Sequence, residues 1–215
     1  MKDAPARLLS EFLGVFFLCL AGIGAITNQA GLTGVALAHG LAIFVAICAF
    51  GHISGAHFNP AVTTALALTK RIAPVDALAY IAAQLVGGLA AAGMWQSMTD
   101  AWQGVPALSP GVTVTQGLIA EIVTTFMLMI VIMGVAVDKR GSFAIIAGLP
   151  IGMAITADIF FAGPVSGAAM NPARWFGPAL INGDLSNALV WTLGPIVGAI
   201  AAAFVYDIIV KPARD

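Results

Sequence analysis

The chain has 215 residues, of which 60% are hydrophobic and only 9% charged, and its net charge is −1. An ordinary soluble domain carries about 25% charged residues, and a disordered chain is more polar still, so both classes are excluded. Nucleic-acid binding is excluded as well, because no basic patch exists to neutralise phosphates. The composition is that of a polytopic membrane protein with no room for a separate soluble catalytic domain.

A bilayer-spanning helix needs roughly 20 apolar residues. Six such segments are predicted, over residues 7–28, 33–51, 75–97, 115–137, 143–162 and 186–209. The first apolar run reads as a retained helix rather than a cleavable signal. Cys19 and Cys48 sit in apolar runs and read as small packing residues, with neither a disulfide framework nor a CxxC spacing; no metal site and no cofactor are expected. Breaks fall at Asp138-Lys139-Arg140-Gly141 and Asn182-Gly183-Asp184. The longest loop, 98–112, holds Asp100, Pro106, Pro110 and Gly111. Gly87, Gly88 and Gly198 are expected at close helix contacts, and Trp95, Trp102 and Trp191 at the membrane interfaces.

The basic residues are sorted by side. Lys2, Arg7, Lys70, Arg71, Lys139, Arg140, Lys211 and Arg214 all fall on one face of a six-span chain. The positive-inside rule makes that face cytoplasmic, with both termini inside. An inner or plasma membrane is the expected location. Arg174 lies in neither a cytoplasmic loop nor a regular span and needs another reason.

Two segments fall outside the six spans. After the second comes Gly51-His52-Ile53-Ser54-Gly55-Ala56-His57-Phe58-Asn59-Pro60-Ala61; after the fifth comes Gly163-Pro164-Val165-Ser166-Gly167-Ala168-Ala169-Met170-Asn171-Pro172-Ala173-Arg174. Asn is a favoured helix N-cap and Pro fits the first helical position. Pro60 and Ala61, and Pro172 and Ala173, therefore start two helices of about ten residues, or about 15 Å, half the hydrocarbon core. Each segment reads as a loop that dips in and a half-helix that returns.

The two halves repeat. Asn59 matches Asn171 at an offset of 112, Glu11 matches Glu121 at 110, and residues 85–92 match 196–203 at 111. Three spans per half require inversion in the membrane. The fold class is then an all-α membrane protein: six transmembrane helices plus two re-entrant half-helices in an inverted 3+3 repeat. A single domain covers 1–215, with repeat one about 7–97, the loop 98–112, and repeat two about 113–209.

Irregular backbone survives at membrane depth only when buried or lining a water-filled cavity. The loop carbonyls of Gly55, Ala56, His57 and Phe58, and of Gly167, Ala168, Ala169 and Met170, should form acceptor rows along such a path. Helix N-termini carry roughly half a positive charge each, so two facing each other repel cations and hydronium. The Asn59 and Asn171 amides can donate to a small neutral molecule between them. The predicted object is a pore for small neutral polar solutes that rejects protons and cations. Glu11 and Glu121 either brace the loops, accepting backbone N–H or His57 hydrogen bonds, or relay protons.

These motifs, two Asn-Pro-Ala tripeptides at matching repeat positions, the second as Asn-Pro-Ala-Arg, with His-Ile-Ser-Gly-Ala-His before the first, closely resemble the aquaporins, or major intrinsic proteins. The likeness covers essentially the whole chain. It implies a homotetramer with one pore per subunit, passing water and small neutral solutes. It also implies an outer selectivity filter at His39, Ile159, Ala168 and Arg174. Strict water channels of the family usually carry Phe and His where this chain has His39 and Ile159. That combination resembles some plant tonoplast intrinsic proteins, which pass water and, in some members, ammonia or urea. Glycerol and arsenite-type metalloid hydroxides are the alternative solutes. His39 is either a filter group or a packed histidine bonded to a nearby carbonyl. Asp158 either bonds the outer loop at a helix end, or acts on the charge of His39, or braces Arg174. Trp175 follows the second motif where water channels carry a small residue, and no role is assigned to it. A secondary transporter would need acidic midplane residues to bind its coupling ion; an adhesion protein would need larger loops. An enzyme would need a nucleophile–base pair, metal cluster or phosphate loop, and none is present.

Overall fold

A computed structural model describes residues 3–99, 104–140 and 146–210. Lys2, Asp100, Trp102, Gly141, Lys211, Arg214 and the start of the fifth apolar segment at 143–145 lie outside the described residues. The described chain is helical: α1 (Ala4–Thr27), α2 (Gly31–Ser54), α3 (Pro60–Leu68), α4 (Pro74–Thr99), α5 (Val114–Ile132), α6 (Gly148–Ser166), α7 (Pro172–Asn182) and α8 (Ala188–Val205). Two π-helical turns, Met133–Val137 and Tyr206–Val210, extend α5 and α8. Six helices are long and apolar enough to cross a membrane, and α3 and α7 are the short ones between them.

Local chemistry sets the boundaries. Thr113 caps α5 in a capping box: its hydroxyl accepts from Gln116 N–H at 3.3 Å, and the Gln116 side chain accepts from Thr113 N–H at 2.8 Å. Asn59 and Asn171 cap α3 and α7, each with Pro at the first helical position. α2 and α6 run farther than the apolar pattern indicates. Residues 51–54 and 163–166, expected in the loops, are helical despite Gly51, Gly163 and Pro164. The stop signal is the next glycine: Gly55 (φ 87°) and Gly167 (φ 79°) take the left-handed conformation that ends a helix.

The packing has the two-fold pattern of the repeat. α1 packs on α4 and α2 as α5 packs on α8 and α6; α4 packs on α7 as α8 packs on α3; α2 packs on its own counterpart α6. Glycines allow the close crossings. A methyl group on Gly87 would collide with the Phe12 carbonyl, and one on Gly198 with the equivalent Ile122 carbonyl. Gly88 meets the backbone of Ala173, and Gly40 that of Gly152. The outer surface is apolar, with Leu9, Leu78, Phe161 and Ile208 exposed, whereas the charged and amide side chains of Glu11, Gln84, Glu121 and Arg174 are buried inside.

Candidate functional site: a cavity between two facing half-helices

Beyond each terminating glycine the backbone stays left-handed at two more residues. These are Ala56 (φ 52°) and Phe58 (φ 49°) in the first loop, Ala168 (φ 46°) and Met170 (φ 52°) in the second. Each costs about 1–2 kcal/mol for a side chain with a Cβ and persists only where the surroundings impose it. Here the surroundings are two buried carboxylates. Glu11 Oε1 accepts from the Ser54 hydroxyl (2.7 Å) and His57 N–H (3.0 Å), and Oε2 from Phe58 N–H (2.7 Å) and Gln84 Nε2 (2.7 Å). Glu121 Oε1 accepts from the Ser166 hydroxyl (2.7 Å) and Ala169 N–H (2.9 Å), and Oε2 from Met170 N–H (2.7 Å). Every partner donates, so both groups act as acceptor-only carboxylates. Pulling these N–H groups to one side leaves the loop carbonyls to the other.

The half-helices meet N-terminus to N-terminus. Asn59 Oδ1 accepts from Ala61 N–H (2.9 Å), and Asn171 Oδ1 from Ala173 N–H (3.0 Å) and Arg174 N–H (3.3 Å). Each Nδ2 crosses over: Asn59 donates to the Met170 carbonyl and Asn171 to the Phe58 carbonyl, both at 2.8 Å. One of the two N–H bonds of each amide is thus spent on joining the loops, and one remains.

A cavity of about 280 Å³ passes this junction. Asn59 and Asn171 line it, as do Gly55, Ala56, His57 and Phe58 of the first loop and Ala168, Ala169 and Met170 of the second. Toward one end it is bounded by Leu66, Arg71 and Val137, toward the other by His39, Ile159 and Ala168. Gly167, expected among the lining residues, lies against Pro106 of the outer loop instead. Arg174 also stays out of the lining. Its Nη1 donates to the Gly104 carbonyl (2.8 Å) and its Nε to His39 Nε2 (3.0 Å). Guanidinium can only donate, so His39 Nε2 accepts. Nδ1 then carries the proton and donates to the Val35 carbonyl (2.8 Å). His39 is a neutral imidazole with both nitrogens occupied, its ring seated where Gly22 of α1 has no side chain.

Several expectations need correction. His57 reaches Glu11 through its backbone, not its ring. Thr63 Oγ1 donates to the Asn59 carbonyl (2.9 Å), so it accepts from His57 Nδ1–H (3.2 Å) and from Gln84 Nε2 (2.9 Å). Asp158 bonds neither the outer loop nor Arg174 nor His39. The extended α6 places it two turns before the helix end, fully buried, with neither oxygen hydrogen-bonded among the described residues. Trp191 is no interface anchor: it is 3% exposed and its indole N–H donates to the Ser166 carbonyl (2.9 Å). Trp175 stacks on it at 5.8 Å, which supplies the role left open by its sequence position. Trp95 is half-buried against Gly24, and Cys48 is exposed, leaving Cys19 as the buried thiol.

The structure also adds residues to the site. The Tyr80 hydroxyl donates to the Ser54 carbonyl (2.8 Å) and accepts from Arg7 Nε (2.6 Å). Ser54, Ser166, Tyr80 and Trp191 sit at repeat-matched positions, so the offset of the repeat was a signal for all four. Gly104 and Gln84 carried no such signal. Among the described residues no three metal-ligating side chains converge.

Comparison with known proteins agrees with this architecture. The family model for major intrinsic proteins matches residues 2–206. Aquaporin NIP1-1 of Zea mays is 43% identical over 97% of this chain and 77% of its own length. Nodulin-26 of Glycine max is 40% identical over 94% and 77%, and the probable aquaporin TIP3-2 of Arabidopsis thaliana 40% over 98% and 86%. The X-ray structure of the aquaglyceroporin from Plasmodium falciparum superposes with a TM-score of 0.88 at 25% identity, over 98% of both chains. With its six spans, paired half-helices and whole-length match, the chain belongs to the major intrinsic protein family, whose members are membrane channels and not enzymes.

Proposed function

We propose that the protein is a passive channel for water that excludes protons and ions, and that ammonia or urea also pass. The observation that carries this reading is the cavity running between Asn59 and Asn171, at the meeting point of two helix N-termini. The remaining N–H of each amide donates to the permeant, and the positive ends of both helices oppose a cation there. His39, Ile159, Ala168 and Arg174 make up the outer filter, the first three lining the cavity and Arg174 acting from behind the lining through its bond to His39. His39 acts by fixing Arg174, since neither ring nitrogen is left for a solute. The tonoplast-type filter rests on the pairing of His39 with Ile159 alone, since the whole-chain likeness is to NIP-type aquaporins at least as much as to TIP3-2. The basic end faces the cytoplasm, with both termini there, in an inner or plasma membrane, and four copies assemble into a tetramer.

A second reading, a channel for glycerol or metalloid hydroxides, is supported about equally. One structural neighbour is an aquaglyceroporin, and Ile159 and Ala168 make one wall of the outer end apolar. Stopped-flow light scattering on proteoliposomes decides between them. Fast water flux, with urea or ammonia but little glycerol, is expected on the first reading. Glycerol flux comparable to water selects the second. Flux no higher than bare liposomes for every solute rejects both.

A further inference from the structure

Among the described residues lining the cavity, the one permanently charged side chain is Arg71, at the end opposite Arg174. It lies in the connection between α3 and α4. Its Nη1 and Nη2 donate to Asp207 Oδ2 (2.8 Å) and Oδ1 (2.6 Å), and Nη1 also to the Thr69 carbonyl (3.3 Å). Asp207 comes from the far end of the chain, in the π-helical turn Tyr206–Val210. The same turn carries Tyr206, whose hydroxyl donates to Asp138 Oδ2 (2.7 Å). Asp138 directly follows Val137, which lines the cavity beside Ala136. One five-residue turn therefore holds both lips of the mouth, Arg71 on one side and the end of α5 on the other.

The other described residues lining this mouth are apolar: Leu66, Ile132, Ala136 and Val137. A guanidinium held by two parallel hydrogen bonds is fixed in plane and paired in charge. Without its carboxylate, the same long side chain carries an uncompensated charge and its hydration water into the narrow opening, and such a constriction governs conduction. The pair is only partly exposed, at 20% and 24% of the two side chains, so solvent does not replace it freely.

We propose that the Tyr206–Val210 turn clamps this mouth, with Asp207 as a positioning residue that holds Arg71 against the wall and keeps the path open to neutral solutes. The inference rests on the channel reading above. The test is water permeability of proteoliposomes at matched protein content, for the parent, Asp207→Asn, Asp207→Glu, and the double variant Asp207→Asn/Arg71→Ala. Asp207→Asn is expected to lower permeability several-fold. Asp207→Glu, which keeps the pair, and the double variant, which removes the freed cation, are expected to conduct near the parent level. Asp207→Asn conducting like the parent overturns the clamp. So does a double variant as slow as the single one, which would mean that the turn supports folding alone. A parent that passes neither water nor glycerol removes the channel reading, and the clamp with it.

Discussion

In the first half of the molecule the Ser54 carbonyl accepts from the Tyr80 hydroxyl; in the second, the Ser166 carbonyl accepts from the Trp191 indole. Glu11 and Glu121 hold the following backbone in the same way, and the left-handed residues fall at matching places. Around that common backbone the side chains diverge. The first loop rests on a polar network of Gln84, Thr63 and His57, and the His57 ring packs edge-on against Tyr80, which accepts from Arg7. At the repeat positions of Val62 and Thr63 the second half has Arg174 and Trp175. Arg174 reaches His39 and Gly104, and Trp175 joins an aromatic stack. The repeat thus preserves the carbonyl-presenting backbone, and the substitutions around it make the two ends of one cavity chemically different.

Five changes test this contrast, in order of expected effect. Glu121→Gln puts an amide N–H against backbone N–H groups, at a cost of about 1–3 kcal/mol for each buried donor left without an acceptor. Glu11→Gln is expected to cost less, because Gln84 can reorient toward the new amide and the Thr63–His57 network still supports that loop. Thermal unfolding in detergent compares the two, and equal losses would break the contrast. Trp175→Thr installs the residue of the first half. Loss of a buried indole and its stacking partner is expected to cost about 3 kcal/mol, read in the same assay, with quenching or a shift of the Trp191 fluorescence as a local signal.

Arg174→Val likewise copies the first half. Water flux is expected to survive, while exclusion of cations and larger solutes loosens, measured as methylammonium and glycerol entry. A variant as selective as the parent would show that Arg174 takes no part in the filter. The smallest effect concerns Asp138, just past the fourth span. The Arg140 side chain holds its carboxyl well below the ordinary value of 3.8, with the Tyr206 hydroxyl adding to this. A depressed carboxyl stabilises the fold above its ordinary pKa and loses that contribution as pH falls through the range below it. The melting temperatures of the parent and Asp138→Asn should therefore differ by a constant amount from neutral pH down to about pH 5, and converge only in stronger acid. Equal melting temperatures at neutral pH would mean that the Arg140 and Tyr206 contacts of this carboxylate add no stability.

Much of this was legible in one dimension because it depends on local or repeated pattern. Six apolar runs specify six spans, Asn-Pro specifies a capped helix start, and the matching offsets specify inverted halves. Glu11 and Glu121 could be assigned as braces because a carboxylate amid apolar residues must find donors, and the loops are where unpaired N–H groups occur. α2 and α6 run past the glycines and proline that weaken a helix locally, because tertiary packing carries them to the next left-handed glycine. Asp158 therefore lies inside α6 rather than at its end, and the role of Trp175 depends on Trp191, which lies in another helix.

By itself, then, the sequence determines the membrane class, the repeat and the two Asn caps, since each follows from composition, periodicity or neighbouring residues. Only the tertiary structure decides that the Asn59 and Asn171 amides cross between loops, that Arg174 bonds His39 and Gly104, and that Arg71 pairs with Asp207. Those contacts join residues far apart in the chain, and their existence depends on ångström-scale distances and donor–acceptor directions that no residue spacing encodes.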